Sequence, residues 1–331
     1  YRGFARAIAD EIQLRLAPDD EARLNQKPAV NPAVYEPYLR GMTVLHTAGT
    51  PQAFQQAIDY FNEAIAADPA DALAWAALAQ CYVTLGHNQL IDTSEIWALG
   101  RAAALRAIRL DSMSAEGWAA LADYEAYHGR DWAAAEEAFL RADALNPSLA
   151  WNHYHYSWFL VLFGRIEEAV SEHERAAQLD PLTPFHTVWM PALHWFNRDF
   201  ERAYQGARAN VDGAWADNFT AIGVLAVSAA ETGRYDEAIA AARKMNELRG
   251  VIGMLGRTHA RAGRVEEALE FAEQLEQPPT HPGQADALAQ IYGMLGDMEK
   301  ALYWLEREPR SFLQPATLLM PYMDPLRDKP R

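Results

Sequence analysis

The 331-residue sequence has little of what several classes of protein require. Its single cysteine, Cys81, cannot form an internal disulfide, and neither a CxxC nor an HExxH zinc motif is present. No GxxxxGK[ST] phosphate loop occurs, and no apolar run reaches the about 18 residues of a membrane span. These absences exclude a disulfide-stapled fold and leave no sequence motif for nucleotide chemistry.

Basic residues are also scarce. Lys and Arg together number 29 against 45 Asp and Glu, which gives a net charge of −16 and a pI near 5.0. Nucleic acids and anionic membranes require a basic face, so this balance argues against both as partners. The charge is explained more simply by solubility.

A repeated pattern is what the sequence does contain. Trp75, Leu78, Ala79 and Tyr82 form W-x2-L-A-x2-Y, which is the first-helix half of a helix–turn–helix repeat with a period of about 34 residues. The second-helix half is clearest in two sets of residues: Ala57, Phe61, Ala64 and Pro69, and Ala135, Phe139, Ala142 and Pro147. The chain therefore resembles the tetratricopeptide repeat (TPR) family.

Glycines punctuate this pattern. A left-handed glycine is predicted to end a helix at Gly129, Gly164, Gly233, Gly263 and Gly296. After three of them the order Gly-Arg-x-Glu/Asp-Glu-Ala recurs, which places acidic residues in the first turn of the next helix. The alanines of this order, including Ala169 and Ala238, are expected to pack at a close helix crossing.

The resemblance implies an all-α, right-handed TPR superhelix of about eight helix pairs with extra terminal helices. We expect the TPR array to occupy residues 31–310, with an insertion at residues 87–93 between the helices of the second pair. Residues 1–30 are predicted to be an amphipathic helix and linker left from an upstream domain. Residues 311–331 are predicted to be a C-terminal cap or tail.

The two ends resemble one bacterial group within the family. Residues 2–17 carry Phe4, Ile8, Ile12 and Leu16 on one stripe, and segments 31–41 and 324–327 add short matching stretches. In that group a TolB-like domain precedes the repeats, fused behind a winged-helix regulator, a nucleotidyl cyclase or a Ser/Thr kinase. The resemblance implies that an effector domain lies upstream. The apolar stripe is expected to dock on the repeats or to support self-association.

The densest aromatic signal lies in the first helix of the fourth repeat and recurs in the fifth. On a helical wheel, His153, Tyr156, Ser157 and Leu160 share the face that packs inside the solenoid. The opposite face is predicted to line the concave groove with a binding patch formed by Trp151, Tyr154, His155, Trp158, Phe185, Trp189 and Trp195.

Two interpretations of the patch remain open at this stage. Aromatic rings contribute large contact area at low entropic cost, which suits a binding surface. Alternatively, a terminal segment fills the groove and the rings are ordinary core. Arg257, on the groove side of the seventh repeat, is a candidate anchor for a carboxylate, although a solvated face explains it as well.

Histidines are frequent, but their spacing favours packing over metal binding. His153 and His155 are two residues apart on a helix and point in different directions, so they cannot bind one ion together. We therefore predict no metal, no cofactor and no catalytic residue. The sequence indicates a non-catalytic TPR module that binds a protein or peptide segment in its groove, with a small-molecule sensor as the alternative. A cytoplasmic location is expected, or a periplasmic one if an upstream span exists.

Overall fold

A computed structural model describes residues 31–47, 50–88, 93–181, 183–277, 283–307 and 320–321. The helices of the first four pairs are α1 Pro32–Thr47, α2 Pro51–Ala67, α3 Ala72–Asn88, α4 Thr93–Leu110, α5 Ala115–Tyr124, α6 Trp132–Leu145, α7 Ala150–Leu162 and α8 Ile166–Leu179. Those of the last four are α9 Pro184–Phe196, α10 Phe200–Asp212, α11 Phe219–Glu231, α12 Tyr235–Arg249, α13 Ile252–Arg261, α14 Val265–Glu276, α15 Gln284–Met294 and α16 Met298–Arg307.

These helices form one α-solenoid. Within each pair the two helices pack against each other, and the second helix of each pair contacts the first helix of the next, from α2–α3 to α14–α15. Each pair therefore buries its apolar face only against its neighbours, as repeat proteins do. The predicted all-α array of eight helix pairs is confirmed for the described residues.

A hydrogen bond repeated at the start of the first helices explains the Trp of the motif. The indole Nε1 of Trp75 donates to the carbonyl of Pro69 over 3.1 Å, and that of Trp118 donates to Ser112 over the same distance. His153 occupies the equivalent place, with Nε2 3.1 Å from the carbonyl of Pro147. In these three pairs the motif residue thus ties the first helix to the turn that precedes it.

Four of the five predicted glycine caps are confirmed. Gly164, Gly233, Gly263 and Gly296 have φ between 70° and 83°, the left-handed region that favours glycine. The prediction for Gly129 was wrong, because residues Glu125–Gly129 form a π-helical turn. The wider turn moves the left-handed position by one residue, to Arg130 at φ 56°.

The predicted insertion at residues 87–93 also needs correction. Helix α3 continues to Asn88 and α4 begins at Thr93, so His87 is helical rather than part of a loop. This longer α3 carries the His87 side chain to the neighbouring pair, where it meets the side chains described below.

Alanines fill the close helix crossings as expected. Ala169 of α8 and Ala238 of α12 are fully buried. They belong to different hydrophobic clusters, and the larger of these runs from Val83 in the second pair to Ala203 in the fifth. That cluster also includes Ala289 and Leu305 of the eighth pair.

The predictions for the two chain ends fall mostly on residues that the structure does not describe. The helix predicted at residues 2–17 and nearly all of the predicted cap at 311–331 lie outside the described residues. Of the cap, Met320 and Pro321 are described, and Met320 Sδ accepts a hydrogen bond from Gln290 Nε2 of α15 at 3.7 Å. Within the described part, no helix combines the length and apolarity that a bilayer crossing needs.

Candidate binding face on the first helices

Helix α7 is covered on nearly all sides, which sets the context for its aromatic residues. The four residues predicted to face the interior, His153, Tyr156, Ser157 and Leu160, are 8 % exposed or less, as predicted. His153 Nδ1 lies 2.6 Å from Glu172 Oε2, and this hydrogen bond raises the pKa of His153. The interior face therefore fixes α7 through both packing and charge.

The opposite face carries rings that are only partly covered. Trp151, Tyr154 and Trp158 of α7 and Trp189 of α9 are all half-buried; we call these four residues the aromatic surface. The rings of Trp158 and Trp189 meet edge to face with centroids 4.9 Å apart, which joins the fourth pair to the fifth. This is a favourable aromatic geometry, and it holds the two indoles in fixed orientations.

The other predicted patch residues differ from these four. Trp195 is 4 % exposed and packs edge to face on Phe196 at 5.2 Å, which leaves little of its ring available to a partner. The side chain of Phe185 lies outside those described. His155 is 8 % exposed and contacts the rings of Trp151 at 4.5 Å and Tyr154 at 5.0 Å.

Buried histidines lie directly beneath the aromatic surface. His173 is fully buried; its Nε2 is 3.1 Å from the carbonyl oxygen of His186, and its ring packs near Tyr154 at 5.5 Å. Burial lowers the pKa of His173 to about 4, so the ring is neutral at physiological pH. His186 is 6 % exposed, and burial lowers its pKa also.

A cluster that the sequence analysis missed lies beside the aromatic surface. His87 of α3, Asp123 of α5 and His155 of α7 offer ligand atoms that all lie within 4.8 Å of one another. His155 Nδ1 is 2.8 Å and His87 Nε2 is 3.6 Å from the two carboxylate oxygens of Asp123. The sequence does contain a signal for this cluster. Asp123 follows His87 by 36 residues and His155 follows Asp123 by 32, and both spacings are close to the repeat period.

Burial and charge pairing act in opposite directions on the pKa values of this cluster. Asp123 is fully buried, which by itself raises its pKa, but its interactions with His155 and His87 outweigh burial and leave the pKa below the ordinary value. Burial also lowers the pKa of His87, which favours the neutral imidazole. The cluster thus combines a carboxylate with an imidazole held in the neutral form.

Arg257, the remaining predicted binding residue, lies on α13 of the seventh pair and not near the aromatic surface. Its Nη1 donates to Gln290 Oε1 of α15 and its Nη2 contacts Met254 Sδ at 3.6 Å. One turn later, Arg261 pairs at 2.6 Å with Glu231 of α11, whose side chain is 3 % exposed. These contacts join three successive first helices, so Arg257 is engaged within the solenoid and lies apart from the aromatic surface.

Comparison with known proteins agrees with this architecture. Residues 52–89 match the family model described as tetratricopeptide repeat. A solved tetratricopeptide repeat protein from Parabacteroides merdae superposes with a TM-score of 0.52 at 12 % identity, over 73 % of this chain and 98 % of that one. The described residues therefore have the fold of a TPR solenoid.

Other TPR solenoids of known structure superpose as well. The APC/C hetero-tetramer Cut9–Hcn1 gives a TM-score of 0.57 at 13 % identity, over 83 % of this chain and 52 % of that one. The human IFIT1 dimer with m7Gppp-AAAA gives 0.59 at 16 % identity, over 84 % and 72 %. At such identities the likeness shows the fold alone.

Among characterised sequences, this chain is similar to the transcriptional regulator HilA of Salmonella typhimurium and of Salmonella typhi. Each match is 27 % identical over 144 residues, which is 44 % of this chain and 26 % of the relative. The chain thus covers about a quarter of the length of these relatives.

Proposed function

We propose that this TPR region is a non-catalytic, partner-binding module of a bacterial signalling or transcription-regulatory protein. Its partner is an extended protein segment that lies across the first helices of the fourth and fifth pairs. The observation that carries the proposal is the edge-to-face contact of Trp158 and Trp189, which presents two half-buried indoles from neighbouring repeats.

The physical reason is the low entropic cost of such a surface. Indoles already held by a neighbour lose little freedom when a partner covers them, and aromatic residues dominate binding energies at interfaces. The elements bearing them are helices of a continuous solenoid, which position a site more precisely than loops do. An extended peptide can contact two successive first helices at once.

The regulatory context rests on the sequence similarity to HilA and on the resemblance of the chain ends to TPR regions fused to effector domains. The proposal implies a cytoplasmic module, or a periplasmic one if a membrane span lies upstream. Nucleic acid is not proposed as the ligand, although IFIT1 was solved with m7Gppp-AAAA, because the net charge of −16 opposes phosphate binding.

A small-molecule sensor is the second candidate. The buried histidines beneath the aromatic surface, His173 and His186, give the site polar groups under an aromatic rim. A small ligand between Trp158, Tyr154 and Trp189 would stiffen the contact between the fourth and fifth pairs. An aromatic rim with a few polar groups is the usual composition of a small-molecule site.

Selection of peptides from a random library on the isolated protein distinguishes the two candidates. An enriched peptide, labelled for fluorescence anisotropy, should bind the wild type and lose at least about tenfold in affinity for the double variant W158A/W189A. The small-molecule alternative is tested by screening metabolites for those that raise the Tm of the protein. Stabilisation by a small molecule with no enriched peptide would favour the sensor.

The matched control is W132A. Trp132 lies on the second helix α6, is 42 % exposed, and meets Phe163 edge to face at 5.6 Å, so it resembles Trp158 in its contact but lies elsewhere. Its replacement should leave binding unchanged. Equal losses for W132A and W158A/W189A would contradict the proposed surface.

A further inference from the structure

We propose that His87, Asp123 and His155 form a binding site for one divalent transition-metal cation of the zinc class. Each residue comes from the first helix of a different pair, the second, third and fourth, and their ligand atoms converge within 4.8 Å. Such an ion would cross-link three successive repeats at the edge of the aromatic surface.

Asp123 provides the strongest reason. Its carboxylate is fully buried, and neither oxygen accepts a hydrogen bond of standard geometry from the described residues. His155 Nδ1 approaches to 2.8 Å without that geometry. Buried carboxylates are nearly always paired, hydrogen-bonded or metal-bound, and a cation between the donor atoms would give the Asp123 carboxylate a charge partner.

The type of cation follows from the donors. Two imidazole nitrogens and one carboxylate oxygen suit zinc and its neighbours, whereas calcium and magnesium prefer oxygen ligands alone. Ligand bonds of about 2.0–2.1 Å in a tetrahedral site place donor atoms roughly 3.3 Å apart. The distances from His155 Nδ1 to one Asp123 oxygen, 2.8 Å, and from His87 Nε2 to the other oxygen, 3.6 Å, lie on either side of that value, and all three ligand atoms lie within 4.8 Å of one another. Three protein ligands leave a fourth position for water.

The local structure also orients the imidazoles. His87 contacts the rings of Tyr127 at 4.6 Å and Trp97 at 5.1 Å, both edge to face. Tyr127 belongs to the π-helical turn that begins two residues after Asp123, and such turns are frequent at functional sites. The side chain of His87 is 20 % exposed, more than that of His155 or Asp123, so His87 forms the outer edge of the cluster.

The experiment uses untagged protein stripped with a chelator. Isothermal titration with ZnCl2 should show one saturable site, and CoCl2 should produce the visible absorption of tetrahedral Co²⁺. The variants H87Q, H155Q and D123N should each weaken zinc binding by more than about 100-fold, because loss of a ligand exceeds loss of an outer-shell partner. Zinc should raise the Tm of the wild type and leave that of the variants unchanged.

The matched control is H186Q, which replaces another buried histidine in the same part of the solenoid. It should retain the wild-type zinc affinity and Co²⁺ spectrum. If D123N fails to fold, H87Q at the exposed edge of the cluster decides the question. The proposal is overturned if the wild type binds less than one equivalent of zinc, or if H186Q weakens binding as much as H87Q. Either result would leave the cluster as a buried His–Asp ion pair.

Discussion

The first helices of neighbouring pairs contact one another through large aromatic side chains in the middle repeats and through glycine in the C-terminal repeats. Between the fourth and fifth pairs the first helices meet through large rings, with Trp158 against Trp189. Between the seventh and eighth pairs they approach closely at a glycine, since a Cβ added to Gly253 would lie 2.7 Å from Ala287 Cβ. The contact between α13 and α15 is therefore one of close backbone approach.

The difference separates a surface that can bind from one that only holds the fold together. A glycine at a helix crossing has no side chain that could contact a partner. Half-buried indoles, in contrast, retain exposed area that a partner can cover. Buried histidines and the His87–Asp123–His155 cluster add polar chemistry to the middle repeats. This difference therefore favours the middle repeats as the place of the proposed binding, with the C-terminal pairs contributing stability.

The largest expected effect comes from breaking the middle crossing itself. Ala169→Leu adds three carbon atoms where Ala169 is fully buried in the large cluster, and overpacking should destabilise the protein by about 3 kcal/mol. Urea unfolding followed by circular dichroism measures this loss. Ala133→Leu, at an exposed position of α6, is the control and should change little. Equal stability of the Ala169 variant and wild type would mean that the packing face is misassigned.

The second-largest expected effect is a loss of stability of the middle repeats at acidic pH. Because burial lowers the pKa of His173 to about 4, the unfolded chain takes up a proton first as the pH falls. The stabilisation is complete above the ordinary value of 6.5 and is lost towards pH 4, by roughly 2–3 kcal/mol. Urea titrations of dilute protein measure it, since the pI near 5.0 lies in this window. His173→Gln should flatten the pH dependence, and an unaltered slope would exclude His173 as its source.

Substitutions of two glycines test how closely the first helices approach one another in the C-terminal repeats. Gly253→Ala forces a contact with Ala287 Cβ and should destabilise by about 1–2 kcal/mol. Gly223→Ala meets Met245 Cε at an ordinary 3.4 Å, so the gain in helix propensity should stabilise by up to about 1 kcal/mol. Opposite signs in thermal unfolding support the close approach of α13 and α15, and two effects of the same sign count against it.

The smallest effect is expected from ion pairs on the surface of the C-terminal pairs. Asp236 pairs with Arg264 at 2.8 Å across two pairs, yet its side chain is 95 % exposed. Asp236→Asn should lower stability by less than about 0.5 kcal/mol, because water screens such pairs. A larger loss in thermal unfolding would mean that surface charge contributes substantially to the contact between the sixth and seventh pairs.

The sequence predicted the repeats well because their signals are local. The order after Gly164, Gly233 and Gly263 combines a left-handed cap, acidic first-turn residues and a packing alanine, and each acts within one turn of chain. The π-helical turn was not predictable in the same way. No residue of Glu125–Gly129 excludes an ordinary helix, so the shift of the left-handed position to Arg130 depends on tertiary contacts.

The candidate site was predicted less completely for a related reason. Helical periodicity separated the two faces of α7, but the degree of burial depends on neighbours, and Trp195 is covered where Trp158 is half-exposed. The metal-ligand cluster required residues from three repeats to be compared at once. His87 was assigned to an insertion, which removed it from the comparison with Asp123 and His155.

The most direct test of the account is hydrogen–deuterium exchange of the protein with and without the tightest peptide from the library selection. Protection is predicted in α7 and α9, residues Ala150–Leu162 and Pro184–Phe196, with little change in α13 and α15. Protection confined to Ile252–Arg261 and Gln284–Met294 would contradict the assignment of function to the middle repeats.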